Sequence, residues 1–432
     1  MENVQLNNDI FETKEYKLSR KMYNNQCAFE YLISIMVTDA FLAKLLTYIG
    51  ISDAITGVIS SFITLAFLVQ IVSVFLVKKI TNTKVTAISF HILGCCLFTF
   101  LYVVPFLPVA GSIKSLIVML CMLGGYFCNY LVNNIIYKWA NSYVHPTKRG
   151  VYSAKKEMFS LITGITFTLI MGYVVDSFEA SGNYKTSFVV IATVMLVITM
   201  LDFISLLRIK NQKLEKSNDI SFKVVLKETL GNKNFRNVII MTILWDIARY
   251  TTVGFMGTFK TNDLLLSLGT VQIIAMVANF SRLAVSLPFG RYSDKNSYAN
   301  GMKLGLIIAG IAFAFNMFSS NNSIWCMVVY TILYSISAAG TGQNSYSIAY
   351  SYVKSEYIMQ AMAIKNSIGG IFGFGASLVA GKILSAIQAN GNMIFGIHIY
   401  GQQVLSFISL VLCIVLVLFV HFVISKQKVM IQ

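Results

Sequence analysis

Charge is what this sequence has least of. Only 12% of its 432 residues are Asp, Glu, Lys or Arg, about half the share of a soluble domain. That leaves too little polar surface for a water-soluble globule of this length. Proline is scarce, with four residues, while 13% of the chain is aromatic; together these exclude a disordered chain. No G-x-x-x-x-G-K-(S/T) loop is present, which excludes ATP-driven transport by the chain itself. No nucleophile–base pair and no metal-ligand cluster stands out, so neither an enzyme nor a cofactor or metal is expected. The seven cysteines, Cys27, Cys95, Cys96, Cys121, Cys128, Cys326 and Cys413, all lie in apolar runs. No spacing among them suits a metal, and they read as free thiols acting as small hydrophobes.

What is abundant is apolar sequence, 56% of residues, with a mean hydropathy of +0.69. Apolar runs fall at 26–49, 54–77, 85–107, 112–137, 157–176 and 186–207. They resume at 237–259, 267–289, 302–319, 323–347, 361–384 and 398–424. Each is long enough to cross a hydrocarbon core of about 30 Å at about 1.5 Å per residue. The expected fold is therefore an all-α integral membrane protein of twelve transmembrane helices. Residues 1–23 lack a basic region leading into a short apolar stretch, so no cleaved signal peptide is expected and the first span is its own insertion signal.

The net charge of +16 is an orientation label. With the N-terminus inside, the loops and tails on that side collect 27 Lys and Arg, and the opposite side collects Lys114, Lys185, Lys260 and Lys382. The excess places both termini in the cytoplasm of a cell-membrane (plasma or inner membrane) protein. Basic loops facing the inner leaflet do not imply nucleic acid. The chain organises as a cytoplasmic tail (1–25), a six-helix bundle (26–207), a linker (208–236), a second six-helix bundle (237–424) and a cytoplasmic tail (425–432). In the linker, Ser221 is placed to cap a basic amphipathic helix with Phe222, Val225, Leu226 and Leu230 on one face. That helix reads as a strut.

The halves repeat. Residues 145–172 align without gaps on 354–381, setting Gly164 on Gly373 and Gly172 on Gly381. Residues 66–85 align on 278–297, setting Gln70 on Arg282 and Asn82 on Asp294. Two six-helix pseudo-repeats of one orientation form a transporter architecture, with a substrate site at mid-membrane.

Between the eighth and ninth spans stands Gly290-Arg291-Tyr292-Ser293-Asp294-Lys295. It resembles the G-x-x-x-D-(R/K) loop of the major facilitator superfamily. The first-half counterpart is degenerate, with Lys78 for its glycine and Asn82 for its aspartate. Pro146-Thr147-Lys148-Arg149-Gly150 resembles the family's P-x-x-x-R-G pattern, one residue short. The resemblance, carried by topology and repeat, covers nearly the whole chain. It implies a gate of Gly290, Asp294, Lys295 and Arg149, with Gly290 giving a tight turn at a helix end. It also implies that Asp294 faces the start of span five, near Lys155 and Lys156.

A charge at mid-membrane is costly unless it faces a cavity or a partner. Asp39 on span one and Asp246 on span seven occupy equivalent spans of the two repeats, which by the resemblance line the central cavity. Arg249 follows Asp246 by three residues on one helical face. Arg282 lies on span eight, and Lys44, on span one, is long enough to snorkel outward. Two roles stay open for the Asp246–Arg249 pair: proton and substrate binding, or permanent mutual neutralisation. Gln70, Asn133 and Gln343 are the chosen uncharged candidates, and interhelical hydrogen bonding explains such residues equally well. His91 reads as a satisfied histidine on a peripheral span, and Glu30, Glu157, Asp176 and Asp202 read as interfacial. Glycines on spans five and eleven, including Gly369, Gly370, Gly373 and Gly375, read as faces for close helix packing.

Span five has no Gly-Pro pair and span four no arginine, which weighs against a typical multidrug exporter of the family. The expectation is a monomeric secondary transporter in the lipid bilayer. It would move a small polar organic solute by alternating access, in symport with protons. Efflux of an amphipathic compound, and a transport-inactive sensor or assembly factor on the same fold, are the alternatives.

Overall fold

The structure is a computed structural model that describes residues 11–76, 82–145, 149–211, 222–354 and 358–427. It is helical nearly throughout. The chain divides into two compact units, one of residues 1–50 and 72–218, the other of 51–71 and 219–432. Among the described residues, ten helices are long and apolar enough to cross a membrane, and a bent pair at the start makes an eleventh. A shorter apolar helix, Lys84–Phe100, falls where the third span was expected. The set is consistent with twelve spans.

The first unit is built from α1 (Lys14–Met36), α2 (Asp39–Ile49), α5 (Thr83–Phe100), α6 (Gly111–Asn141), α7 (Arg149–Ala180) and α8 (Tyr184–Arg208). Helix α1 starts well before residue 26, inside the expected tail. Its first turns are amphipathic, burying Ser19, Met22, Tyr23 and Gln26, so an apolar-run reading misses them. One core cluster joins Met22 and Tyr23 to Ala87, Ile136, Trp139, Tyr143 and Leu206. Where α8 ends, its open carbonyls are taken by side chains: Lys84 Nζ donates to Leu207 O and Ile209 O at 2.6 and 2.7 Å. Trp139 Nε1 and Tyr143 Oη donate to Lys210 O. A lysine on the last carbonyls of a helix also meets the negative end of its dipole. Asn82 caps α5 by accepting from Val85 N at 3.3 Å, a use that an Asn serves as well as an Asp.

The second unit holds α3 (Asp53–Ser60), most of α4 (Phe62–Leu76), α9 (Phe222–Gly231), α10 (Lys233–Tyr250), α11 (Leu268–Asn296), α12 (Tyr298–Asn316), α13 (Ile324–Tyr350), α14 (Ile358–Ala389) and α15 (Gly401–Phe422). A two-stranded hairpin, Met393–Ile394 with Ile397–His398, precedes α15. In α9 the buried face is Val225 and Thr229, while Leu230 is exposed. This corrects the expected apolar face; Ser221, its expected cap, lies outside the described residues.

Glycines decide how closely these helices approach. A Cβ on Gly370 of α14 would strike the carbonyl of Thr64 on α4. A Cβ on Gly254 would lie 2.6 Å from Gly57 O. The expected packing face is therefore real on α14, but not uniform: Gly375 meets nothing within 4 Å.

The contrast gives a test. Gly370→Val must displace backbone, and we expect a loss of about 1–3 kcal/mol, the usual cost of overpacking. It should lower the thermal midpoint in detergent, whereas Gly375→Val should leave it unchanged.

Candidate functional site

Helix α10 carries the two expected charges, Asp246 and Arg249, into the interior of the second unit. Asp246 is 3% exposed, and Arg249 Nε lies 3.0 Å from its Oδ1. The i,i+3 spacing places both on one face. Arg249 reaches further, donating to Tyr250 Oη at 3.0 Å and lying 4.4 Å from the Tyr250 ring centroid. A cation over an aromatic face keeps part of its attraction where water is scarce.

Sequence reasoning missed the third charge. The 27 cytoplasmic cations of the charge count include Lys365, at the start of span eleven. It lies two turns inside α14 and is buried at 3% exposure. Its Nζ donates to Ser345 Oγ at 3.1 Å and stands 5.4 Å from the Tyr346 ring centroid. Lys365 and Asp246 also interact electrostatically. The signal was available: Lys365 lies inside the apolar run 361–384, with no other charge between Glu356 and Lys382. Gly369 and Gly373 now have a reason as well. A Cβ on Gly369 would occupy the space of Asp246 Oδ2, and one on Gly373 would lie 2.8 Å from Tyr250. The glycine face of α14 is what lets α10 bring its carboxylate in. Two cations surround one carboxylate here, and stacked Tyr330 and Tyr334, with ring centroids 5.7 Å apart, lie on α13.

The other expected residues are scattered. Arg282 on α11 is exposed, as is Gln343 on α13, and Gln70 on α4 is half-buried. Gln343 meets the motif residue Gly290, whose Cβ would lie 3.7 Å from its Nε2. Gly290 itself needs correcting. It is not a turn at a helix end, because α11 continues through Asn296. The break comes at Ser297, which caps α12 by accepting from Asn300 N at 3.1 Å. Asp294 and Lys295 are exposed in the last turns of α11. The buried member of the motif is Ser293, against which Gly301 and Asn344 pack. Arg149 begins α7, and its side chain lies outside the described residues.

In the first unit, Asn133 on α6 is exposed. Asp39 is exposed and opens α2 with a φ of 47°, a left-handed conformation that few residues besides Gly, Asn and Asp adopt. Span one is thus broken, with α1 and α2 bent by 43°. Thr38 Oγ1 turns back to Ser34 O and Ile35 O at 3.1 and 3.2 Å, and Tyr102 Oη takes Met36 O at 2.5 Å. Asp39 therefore stands at the positive end of a half-helix. Lys44 does not snorkel free: both Glu179 oxygens lie 2.6–2.7 Å from its Nζ. Lys156 is engaged by Tyr23, 4.6 Å from the ring centroid. Asp202, expected at an interface, is fully buried and 2.8 Å from His91 Nε2.

Known proteins share this architecture. The family model of the Major Facilitator Superfamily matches residues 27–377. The nucleoside transporter NupG superposes with a TM-score of 0.75 at 13% identity, over 93% of this chain and 99% of its own. The POT family transporter PepTSo gives 0.66 at 10%, over 96% and 99%. A bacterial homologue of the human lysosomal transporter Spinster gives 0.65 at 13%, over 96% and 97%. At such identities the likeness establishes the fold alone. No curated protein matches the sequence.

The triad of charges predicts its own energetics. Asp246→Leu strands the buried Lys365 and the partly buried Arg249 and should cost about 3–5 kcal/mol, the range for breaking a buried pair. Adding Lys365→Met should recover part of that loss in thermal unfolding, because the remaining cation, Arg249, is partly exposed and keeps its hydrogen bond to Tyr250.

Proposed function

The chain belongs to the major facilitator superfamily, and on that basis we propose that it is a secondary transporter moving a small polar solute by alternating access, in symport with protons. Its solute carries an anionic group, a carboxylate or its equivalent. The observation that supports this reading most is the set of buried Asp246 and Lys365 with partly buried Arg249. One negative and two positive groups leave a net cation in an apolar interior, where an anion from the solute is the fitting counter-charge. An anionic group that takes Arg249 or Lys365 removes a partner from Asp246. A carboxylate so stripped takes up a proton rather than remain charged without water. Solute and proton then travel together, neutral as a pair.

Asp39 is the second protonatable group in this scheme. It stands at the N-terminus of the half-helix α2, a position that also suits an anionic ligand. Arg282, Gln70, Asn133 and Gln343 shape and polarise the path of the solute, and Gly290, Asp294, Lys295 and Arg149 control access from the cytoplasm. The chain works as a monomer in a cell membrane, with both termini cytoplasmic. Nucleosides and peptides belong to the names of structural neighbours and do not name the solute here.

The deciding experiment is reconstitution in liposomes with an internal pH dye. Small organic anions, zwitterions, nucleosides and short peptides are presented with and without a proton gradient. We expect inward proton flow driven by an anionic or zwitterionic solute. Outward movement of amphipathic compounds would favour efflux, and no flux or counterflow with any solute would favour a transport-inactive protein. Asp39→Asn should abolish proton-driven accumulation while exchange persists; full accumulation in that variant removes Asp39 from the mechanism. Asp294→Asn should increase labelling of a cysteine probe from the cytoplasmic side, and unchanged labelling makes Asp294 a solvated surface charge.

A further inference from the structure

We propose that His91, Cys95 and Asp202 form a site for a divalent transition-metal ion of the zinc class, inside the first unit. The site is separate from the charges of α10 and α14 and does not rest on the transport reading. His91 and Cys95 lie one turn apart on α5, and Asp202 faces them from α8. All three are enclosed, with exposures of 1%, 1% and 0%.

The distances suit a metal. His91 Nε2 is 2.8 Å from Asp202 Oδ2, Cys95 Sγ is 3.7 Å from His91 Nε2, and Cys95 Sγ is 4.0 Å from Asp202 Oδ2. Ligand atoms around a tetrahedral zinc ion, at ordinary Zn–N, Zn–O and Zn–S lengths, stand about 3.3–3.6 Å apart. Shifts of about 0.5 Å bring the triangle to that geometry, within the play of three side chains. A histidine–aspartate hydrogen bond alone accounts for less. It leaves the thiol pointed at the pair, and it leaves Asp202 Oδ1 buried with no hydrogen-bond partner. An unmatched carboxylate oxygen in an apolar bundle is expensive, and the carboxylate that carries it turns its other oxygen, Oδ2, to the imidazole and the thiol, where it has a use as a ligand.

The donor set selects the ion. Sulfur and imidazole nitrogen favour zinc and its soft neighbours over magnesium or calcium. A thiolate and a carboxylate cancel the charge of a dication, so the loaded site is neutral, as a membrane interior requires. On binding, the Cys95 sulfur–hydrogen bond breaks, the sulfur–metal bond forms, and the proton leaves to solvent. Gln26 of α1, whose Nε2 is 3.4 Å from His91 Nε2 and 3.0 Å from Glu30 Oε2, completes the surroundings. All three ligands are enclosed and come from two helices, so the bound ion acts as a clamp between α5 and α8. The helical spacing of His91 and Cys95 was visible in the sequence. The arrival of Asp202 from 107 residues away was not.

The test uses the full chain in detergent, stripped with a chelator and titrated with cobalt. We expect one equivalent to bind with a thiolate-to-cobalt charge-transfer band and the strong visible bands of a tetrahedral ion, displaced by zinc. Zinc should also raise the thermal midpoint of the wild-type protein. Cys95→Ser should abolish the charge-transfer band, and His91→Gln and Asp202→Asn should each weaken zinc binding about tenfold or more. Cys96→Ser, at an exposed neighbouring thiol, should change nothing. A monodisperse wild-type protein with no thiolate–cobalt band overturns the proposal, and so does a band that survives Cys95→Ser. No thermal shift with zinc overturns the structural clamp. Two of these readouts need no variant, so a misfolded mutant cannot obscure the answer.

Discussion

In a hydrocarbon interior every backbone amide and carbonyl must find its partner within the protein, and that constraint governs this molecule wherever its helices break. Span one breaks after Met36, and span seven, its counterpart in the repeat, breaks after Tyr250. Both breaks use the same device. A threonine hydroxyl turns back onto its own helix, Thr38 to Ser34 O and Thr251 to Ile247 O. A hydroxyl from elsewhere in the same unit then takes a carbonyl at the break: Tyr102, in the turn after α5, takes Met36 O, and Ser409 of α15 takes Ala248 O. Beyond its break, span seven winds through a wider turn at Phe259–Asp263. There Asn262 and Gln388 donate to the two oxygens of Asp53 at 2.7 and 3.0 Å, and Gln402 donates to Asp263. Polar side chains near these breaks are the substitutes for backbone bonds. Asp39 stands at the first of these breaks, and in the other span Arg249 lies one residue before the end of α10, with Asp246 one turn earlier.

Charges obey the same economy of partners. Lys44 has Glu179, Asp246 has Arg249 and Lys365, and His91 has Asp202. Small residues make these meetings possible. Without side chains at Gly369 and Gly373, α14 comes near enough to α10 for Lys365 and Asp246 to act on each other. Packing and electrostatics are therefore one arrangement, and a larger residue at Gly369 would remove the space that Asp246 Oδ2 occupies.

Much of this was legible in the sequence. Hydropathy marks the spans, because an apolar run of that length has no other stable surroundings. The pairing of Asp246 with Arg249 follows from helical spacing alone, which local geometry fixes. Spacing failed where a feature depended on another helix. The glycine of Gly290-Arg291-Tyr292-Ser293-Asp294-Lys295 looked like a turn, yet the helix runs on to Asn296, because nothing in the motif breaks it and Ser297 supplies the cap. Lys365 looked like a loop cation because it lies near the start of a run, and only its burial shows otherwise. The amphipathic start of α1 escaped because its buried residues include Ser19 and Gln26, which no apolar count selects.

The sequence by itself determined the class of the molecule: apolar helices in two related sets, with cations concentrated in connecting segments. Those properties come from composition and local periodicity, which every segment carries alone. The tertiary structure decided which polar groups meet. Lys365 reaches the field of Asp246, Asp202 reaches His91 and Cys95, and Asp53 ties Asn262 to Gln388, all across long separations in the chain. Such contacts depend on how closely helices approach and how far each is rotated about its axis. Those quantities are set by the packing of many side chains at once, and no single stretch of sequence states them.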